Sequence, residues 1–168
     1  HEQQTKPMTS TQVPKYVQDL IALYGGESDR FLGTSVFYEK VQPDTDLEQV
    51  ALYYHKQFVG AAWERTQYHR WMEGWELLYQ RPADKKGDVV SEFEAVYDIL
   101  ESVLEMLLNP LKNGDYETAP QKLAAAYNAP DVADFRIYGI SDEDILQGRL
   151  IIGSRTHGET TILILLDD

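Results

Sequence analysis

The residues able to do chemistry in this chain are 4 histidines and 28 aspartates and glutamates, with no cysteine at all. The absence of cysteine excludes disulfide staples, thiolate metal sites and cysteine nucleophiles. His1, His55, His69 and His157 are too scattered for a metal site if the chain around His69 is extended. If that region is instead helical, His69 and Glu73 stand one turn apart, which supplies two ligands and no third. Asp142-Glu143-Asp144 and Asp167-Asp168 could gather a hard cation. They lack the alternating oxygen ligands and central glycine of a calcium loop, and they read better as charge at a helix start. A pair of acids for glycoside hydrolysis has no sequence pattern to reveal it. Ser28, Ser35 and Ser154 lie outside a G-x-S-x-G frame, and Gly25-Gly26 has no Lys-Ser/Thr behind it for a phosphate loop. The expectation is a chain with no catalytic residue, no metal and no cofactor.

Aromatic residues give the more specific signal. Trp63, Tyr68, Trp71, Trp75 and Tyr79 crowd a short stretch that also carries Arg65, Arg70 and Arg81. A two-stranded ribbon cannot bury all of these rings on one face. Tyr68, Arg70, Trp71 and Trp75 are therefore candidate binding residues, since exposed Trp, Tyr and Arg make recognition surfaces. The alternative is that the rings form core under a helix layer.

The formal net charge is −13. Such a field repels nucleic-acid phosphates and anionic membrane surfaces, and it attracts basic proteins or cations. It also serves solubility. No apolar run reaches the ~18 residues of a membrane span. The start at His1 rather than Met reads as a processed N-terminus, which favours an extracytoplasmic chain.

Positioning elements follow from periodicity. His1–Pro14 reads as a flexible leader, and residues 15–168 as one domain. Val17, Leu20, Ile21 and Tyr24 fit a short helix stopped by Gly25-Gly26. Residues 34–41 alternate as a half-buried strand, which starts as early as Phe31 and ends at Pro43. Thr45 and Glu48 have capping-box spacing, followed by a helix with Leu47, Val50, Ala51, Tyr54 and Phe58 inward, His55 on its polar side, and Gly60 as its end. A strand is expected from Trp63, a hairpin turn at Met72–Gly74, and a return strand from Trp75 to Arg81. One continuous helix from Asp46 to Arg70 is the competing reading.

A long helix capped by Asp88 is expected over Val89–Leu108, with an apolar arc too wide for a simple surface helix. Val96, Leu100, Val103 and Leu107 on that arc are candidate interface residues, for a partner or for a second copy in a homo-oligomer. A break at Lys112–Gly114, a weaker helix over Ala119–Tyr127, a short strand at Asp134–Tyr138 and a single helical turn capped by Ser141 come next. The C-terminal part reads as a hairpin of Arg149–Ser154 with Glu159–Leu166, turning at Arg155–Gly158. The apolar run Ile162–Leu166 marks a strand covered on both faces. The expected fold class is α+β, with an antiparallel sheet of about five strands under two long and one or two short helices.

The segment IIGSRTHGETTILILL, with Ile152-Gly153 and the later Gly158 after a long helix and an Asp-rich loop, resembles the closing segment of the nuclease A inhibitor family. That resemblance implies a small acidic α/β protein that blocks a nonspecific nuclease. Together, the residues favour a non-catalytic acidic interaction protein with a protein partner and no nucleic-acid ligand. A nuclease inhibitor is the alternative, and a hydrolase with a cryptic carboxylate pair is the third reading.

Overall fold

The computed structural model describes residues 13–27, 32–65, 68–98 and 100–167. The leader expected over His1–Pro14 therefore lies almost wholly outside the described residues, as does the early strand start at Phe31. The fold class is α+β, as expected: a five-stranded antiparallel sheet and a separate two-stranded ribbon, with seven helices among the described residues.

The elements in chain order are α1 (Lys15–Tyr24), β1 (Gly33–Lys40), α2 (Leu47–Val59), α3 (Ala62–Arg65), α4 (Tyr68–Glu73) and β2 (Glu76–Gln80). There follow α5 (Val89–Ala95), β3 (Tyr97–Asp98), β4 (Glu101–Ser102), α6 (Val103–Leu108), α7 (Asn113–Tyr127), β5 (Val132–Ser141), β6 (Gln147–Arg155) and β7 (Glu159–Asp167). The sheet order is β1-β7-β6-β5-β2, every pair antiparallel.

Period-two alternation divides the core into two. Ile162, Ile164 and Leu166 of β7, Leu150 and Ile152 of β6, and Tyr138 and Ile140 of β5 pack against α2, α3 and α4. Leu163 and Leu165, Ile151, and Phe135 and Ile137 point the other way, against α1, α5, α6 and α7. The result is three layers, helix–sheet–helix. The apolar run in β7 is thus covered on both faces, and the strand lies inside the sheet between β1 and β6. Its hairpin with β6 turns as expected, with Gly158 at φ 104°.

Several local expectations are corrected. The capping box at Thr45 does not form. Asp46 is the N-cap of α2 and accepts from Glu48 N at 3.0 Å, while the Glu48 carboxylate is drawn away to Trp75 Nε1 at 2.9 Å. Gly60, at φ 64°, ends α2, so no single helix runs from Asp46 to Arg70. The strand expected from Trp63 is also absent: Ala62–Arg65 and Tyr68–Glu73 are helical, and β2 pairs with β5 instead. Helix is the better solution there because it turns both Trp63 and Trp71 toward the sheet, at 8 % and 0 % exposure.

The long helix over Val89–Leu108 is two helices. The chain leaves α5 at Val96, makes the β3–β4 ribbon, and restarts at Ser102 with a complete capping box to Glu105. Asp88 sits at the N-cap of α5 without a side-chain bond. Val89 N donates instead to Asn128 Oδ1 at 2.7 Å, so the end of α7 caps the start of α5. Helix α7 begins at Asn113, where a break was expected, and contains Pro120. The carbonyl that Pro120 leaves without an intrahelical donor is that of Tyr116, an exposed residue that water can serve. Ser141 starts no helix. Its Oγ accepts from Glu143 N at 2.8 Å inside a tight β5–β6 turn.

A buried ion pair ties the two halves of the α1/α5–α7 side together. Arg81 Nε and Nη2 donate to Glu92 at 2.9 and 2.7 Å, Tyr79 Oη donates to the same carboxylate at 2.6 Å, and Arg81 Nη1 donates to Tyr127 O at 2.9 Å. Burial alone would raise the Glu92 carboxyl, but the bonds from Arg81 and Tyr79 outweigh it and hold it below the usual carboxylate range.

Candidate functional site

Cross-strand register builds one row at an end of the sheet: Glu76, Gly139, Arg149, Leu165 and Thr34, from β2 to β1. Arg149 shares its face with Ile151, two residues on, so the strand aims it at the α1/α5–α7 side. A cleft of about 350 Å³ opens beside it, lined by Glu73, Glu76, Tyr97, Asp98, Glu143 and Arg149 among others. Four carboxylates and one guanidinium line it, a formal balance of −3 among the described residues.

Each wall is held by local structure. Helix α4 ends at Gly74, where a Cβ would stand 2.3 Å from Ser141 O. That close approach of two backbones sets Glu73 and Glu76 against the end of β5. The β5–β6 turn is fixed by Ser141 and by Asp142, whose Oδ1 accepts from Asp144 N at 2.9 Å and Leu146 N at 3.0 Å. Between them Glu143 takes φ 63°, a left-handed conformation that costs a non-glycine residue on the order of 1–3 kcal/mol. The β3–β4 ribbon brings in Asp98 and an exposed Tyr97, with Leu100, 90 % exposed, at its tip.

Arg149 is 6 % exposed. Its Nη1 donates to Gly148 O at 2.7 Å, and its Nη2 stands 3.5 Å from Asp98 Oδ2. Its Nε is buried and has no partner among the described residues. A guanidinium this buried with a donor unspent and one long ion pair is an incompletely satisfied cation. A cleft of about 400 Å³ at the other end of β6 also contains an arginine, Arg155. That guanidinium is committed to Ala125 O and Ala126 O at 3.1 Å, to Asp131, and to the Tyr16 ring at 3.8 Å. No three His, Asp or Glu side chains among the described residues are placed to hold a metal ion.

The aromatic residues singled out in the sequence lie elsewhere. Trp71 is fully buried, its Nε1 donating to Ala62 O at 3.4 Å. Trp75 is half-buried, stacked on Tyr138 at 4.3 Å between ring centres. Arg70 is half-buried on α4, and the Tyr68 side chain lies outside the described residues. The rings enclose His55, which is fully buried and not on a polar face: Trp63 and Trp71 meet it edge-on at 5.0 and 5.4 Å, and Trp75 stacks on it at 5.6 Å. Among the described residues neither ring nitrogen of His55 has a hydrogen-bond partner of good geometry, and burial, outweighing a backbone contact that acts the other way, pushes its pKa down to about 3. Trp63, Trp71 and His55 are therefore core, whereas Trp75 and Arg70 stay partly exposed.

The candidate interface residues also separate. Val103 and Leu107 are fully buried in the core, Val96 is half-buried, and Leu100 alone stands out. The break between α5 and α6 is the reason, since it leaves Val103 and Leu107 on α6 and puts Val96 and Leu100 in the connection before it.

Compared with known protein families, with curated proteins and with solved structures, the chain has no match. The likeness of the C-terminal hairpin to nuclease A inhibitors therefore gains no support from the family comparison.

The cleft residues Glu73, Glu76, Tyr97, Asp98, Glu143 and Arg149 were missed as a site in the sequence. One signal was present for Arg149: it keeps step with Ile151 in a strand, on a face that must be buried.

Proposed function

We propose that this protein is a non-catalytic binding protein that takes a cationic segment of a protein partner in the cleft between β2 and the β3–β4 ribbon. The observation that carries this reading is the charge imbalance around the cleft, set beside exposed Tyr97 and Leu100. Carboxylates held on fixed backbone give a basic partner both a fast approach and an orientation, and the apolar residues supply contact area. Strand β2 adds a second support. Among the described residues it is an edge strand paired with β5 alone, and an extended segment can lie along its other side.

The test is fluorescence anisotropy with labelled extended peptides of basic, neutral and acidic sequence. The basic peptide should bind, more weakly as salt rises, and the paired change Glu73→Gln with Glu76→Gln should weaken it by roughly tenfold. Equal binding of all three peptides, or of none, would remove the proposal. A nuclease is one protein class with such a basic surface, and unchanged activity across a panel of nonspecific nucleases titrated with this chain would remove that form of it.

A further inference from the structure

The cleft is not uniformly negative: among its described lining residues Arg149 is the one cation. Arg149 lies in the middle of a register row, with Gly139 directly beside it on β5. Gly139 brings no side chain of its own to that row, and the Leu78 side chain covers it. Among the described residues the Arg149 Nε has no acceptor, and the one carboxylate beside its guanidinium, Asp98, is 3.5 Å away and about a third exposed. A planar guanidinium with free donors matches a carboxylate in a two-pronged arrangement. A simple anion would be driven off by Glu73, Glu76 and Glu143. The ligand must therefore carry a carboxylate and a cation on one small unit. The volume of about 350 Å³ is at the low end for ligand sites and suits a single residue.

We propose that the cleft recognises the free C-terminal lysine or arginine of the partner segment. Its α-carboxylate takes the place of Asp98 on Arg149, and its side-chain cation sits among Glu73, Glu76 and Glu143. This rests on the reading of the cleft as a site for a cationic segment, and it adds the chain end as the feature read.

The experiment is calorimetric titration of the full chain with a hexapeptide ending in lysine as the free acid, the same peptide as its C-terminal amide, and free lysine. The free acid should bind at least about tenfold more tightly than the amide, the size expected for losing a charge-assisted two-pronged pair. Arg149→Lys, which keeps the charge but loses the fork, should abolish that difference. The unfolding midpoint of Arg149→Lys serves as the control. Equal binding of acid and amide would overturn the chain-end assignment and leave the cationic-segment reading standing. Binding of neither would overturn both. Free lysine binding as tightly as the peptide would overturn the assignment to a chain terminus.

Discussion

Acidification should unfold this protein from the inside, through His55. The ring is fully buried among Trp63, Trp71 and Trp75, and among the described residues no group satisfies either nitrogen. Burial lowers its pKa from 6.5 to about 3. In the unfolded chain the same histidine takes up a proton near pH 6.5. Between those values the unfolded state binds more protons than the folded state, so stability falls as the pH falls. The contribution is complete above about pH 6.5. It declines by up to about 1.4 kcal/mol per pH unit below that, and levels off near pH 3. At pH 4.5 the loss is about 3 kcal/mol, a substantial part of the roughly 5–15 kcal/mol that holds a domain together. The paired carboxylate Glu92, also held below its usual range, adds acid lability only at lower pH. Urea unfolding followed by tryptophan fluorescence at half-unit steps from pH 7.5 to 4.5 measures this. The control is His55→Leu, which replaces unpaired polar atoms with apolar ones and should be at least as stable at pH 7.5. The variant should lose the slope between pH 6.5 and 5. Parallel curves for the two proteins across that window would refute the buried, unpartnered state of the ring.

Two further outcomes are expected. Arg81→Met leaves Glu92 buried without its cation and should destabilise the fold by about 3–5 kcal/mol, whereas Arg81→Met combined with Glu92→Met should recover most of that loss in chemical denaturation. Leu107→Ala should destabilise by about 2–5 kcal/mol in the same assay, while Leu100→Ser, at the tip of the β3–β4 ribbon, should stay within about 0.5 kcal/mol of the parent.

The sheet was more legible than the helices, and physical reasons separate the two. Strands β1, β6 and β7 announce themselves because alternation and an apolar run leave few other solutions, and Gly158 marks their turn. The region from Val89 to Leu108 misleads because apolar residues at helical spacing persist across a break. The break was nonetheless written locally: Ser102 and Glu105 carry capping-box spacing, which restarts a helix and does not continue one. At Trp63–Glu73 the aromatic and basic composition resembles a binding surface, yet short helices can bury rings that a two-stranded ribbon cannot. Burial of His55 was hidden because the Trp residues that cover it come from later elements. The arginine cleft was least visible, since it exists only where β2, the β3–β4 ribbon and the β5–β6 turn meet. No local pattern records that meeting, apart from the step that Arg149 keeps with Ile151.

The place of β1 in the sheet has a consequence for how the chain assembles. Among the described residues its one strand partner is β7, and Val36 lies across from Leu163. During synthesis β1 and the amphipathic α2 behind it must wait while all the intervening chain is made. Until β7 arrives they present an unmatched ribbon and a greasy helix face to the cell. Closure of this long loop should be the slow event of folding, and two chains caught at that stage could lend each other their first strands.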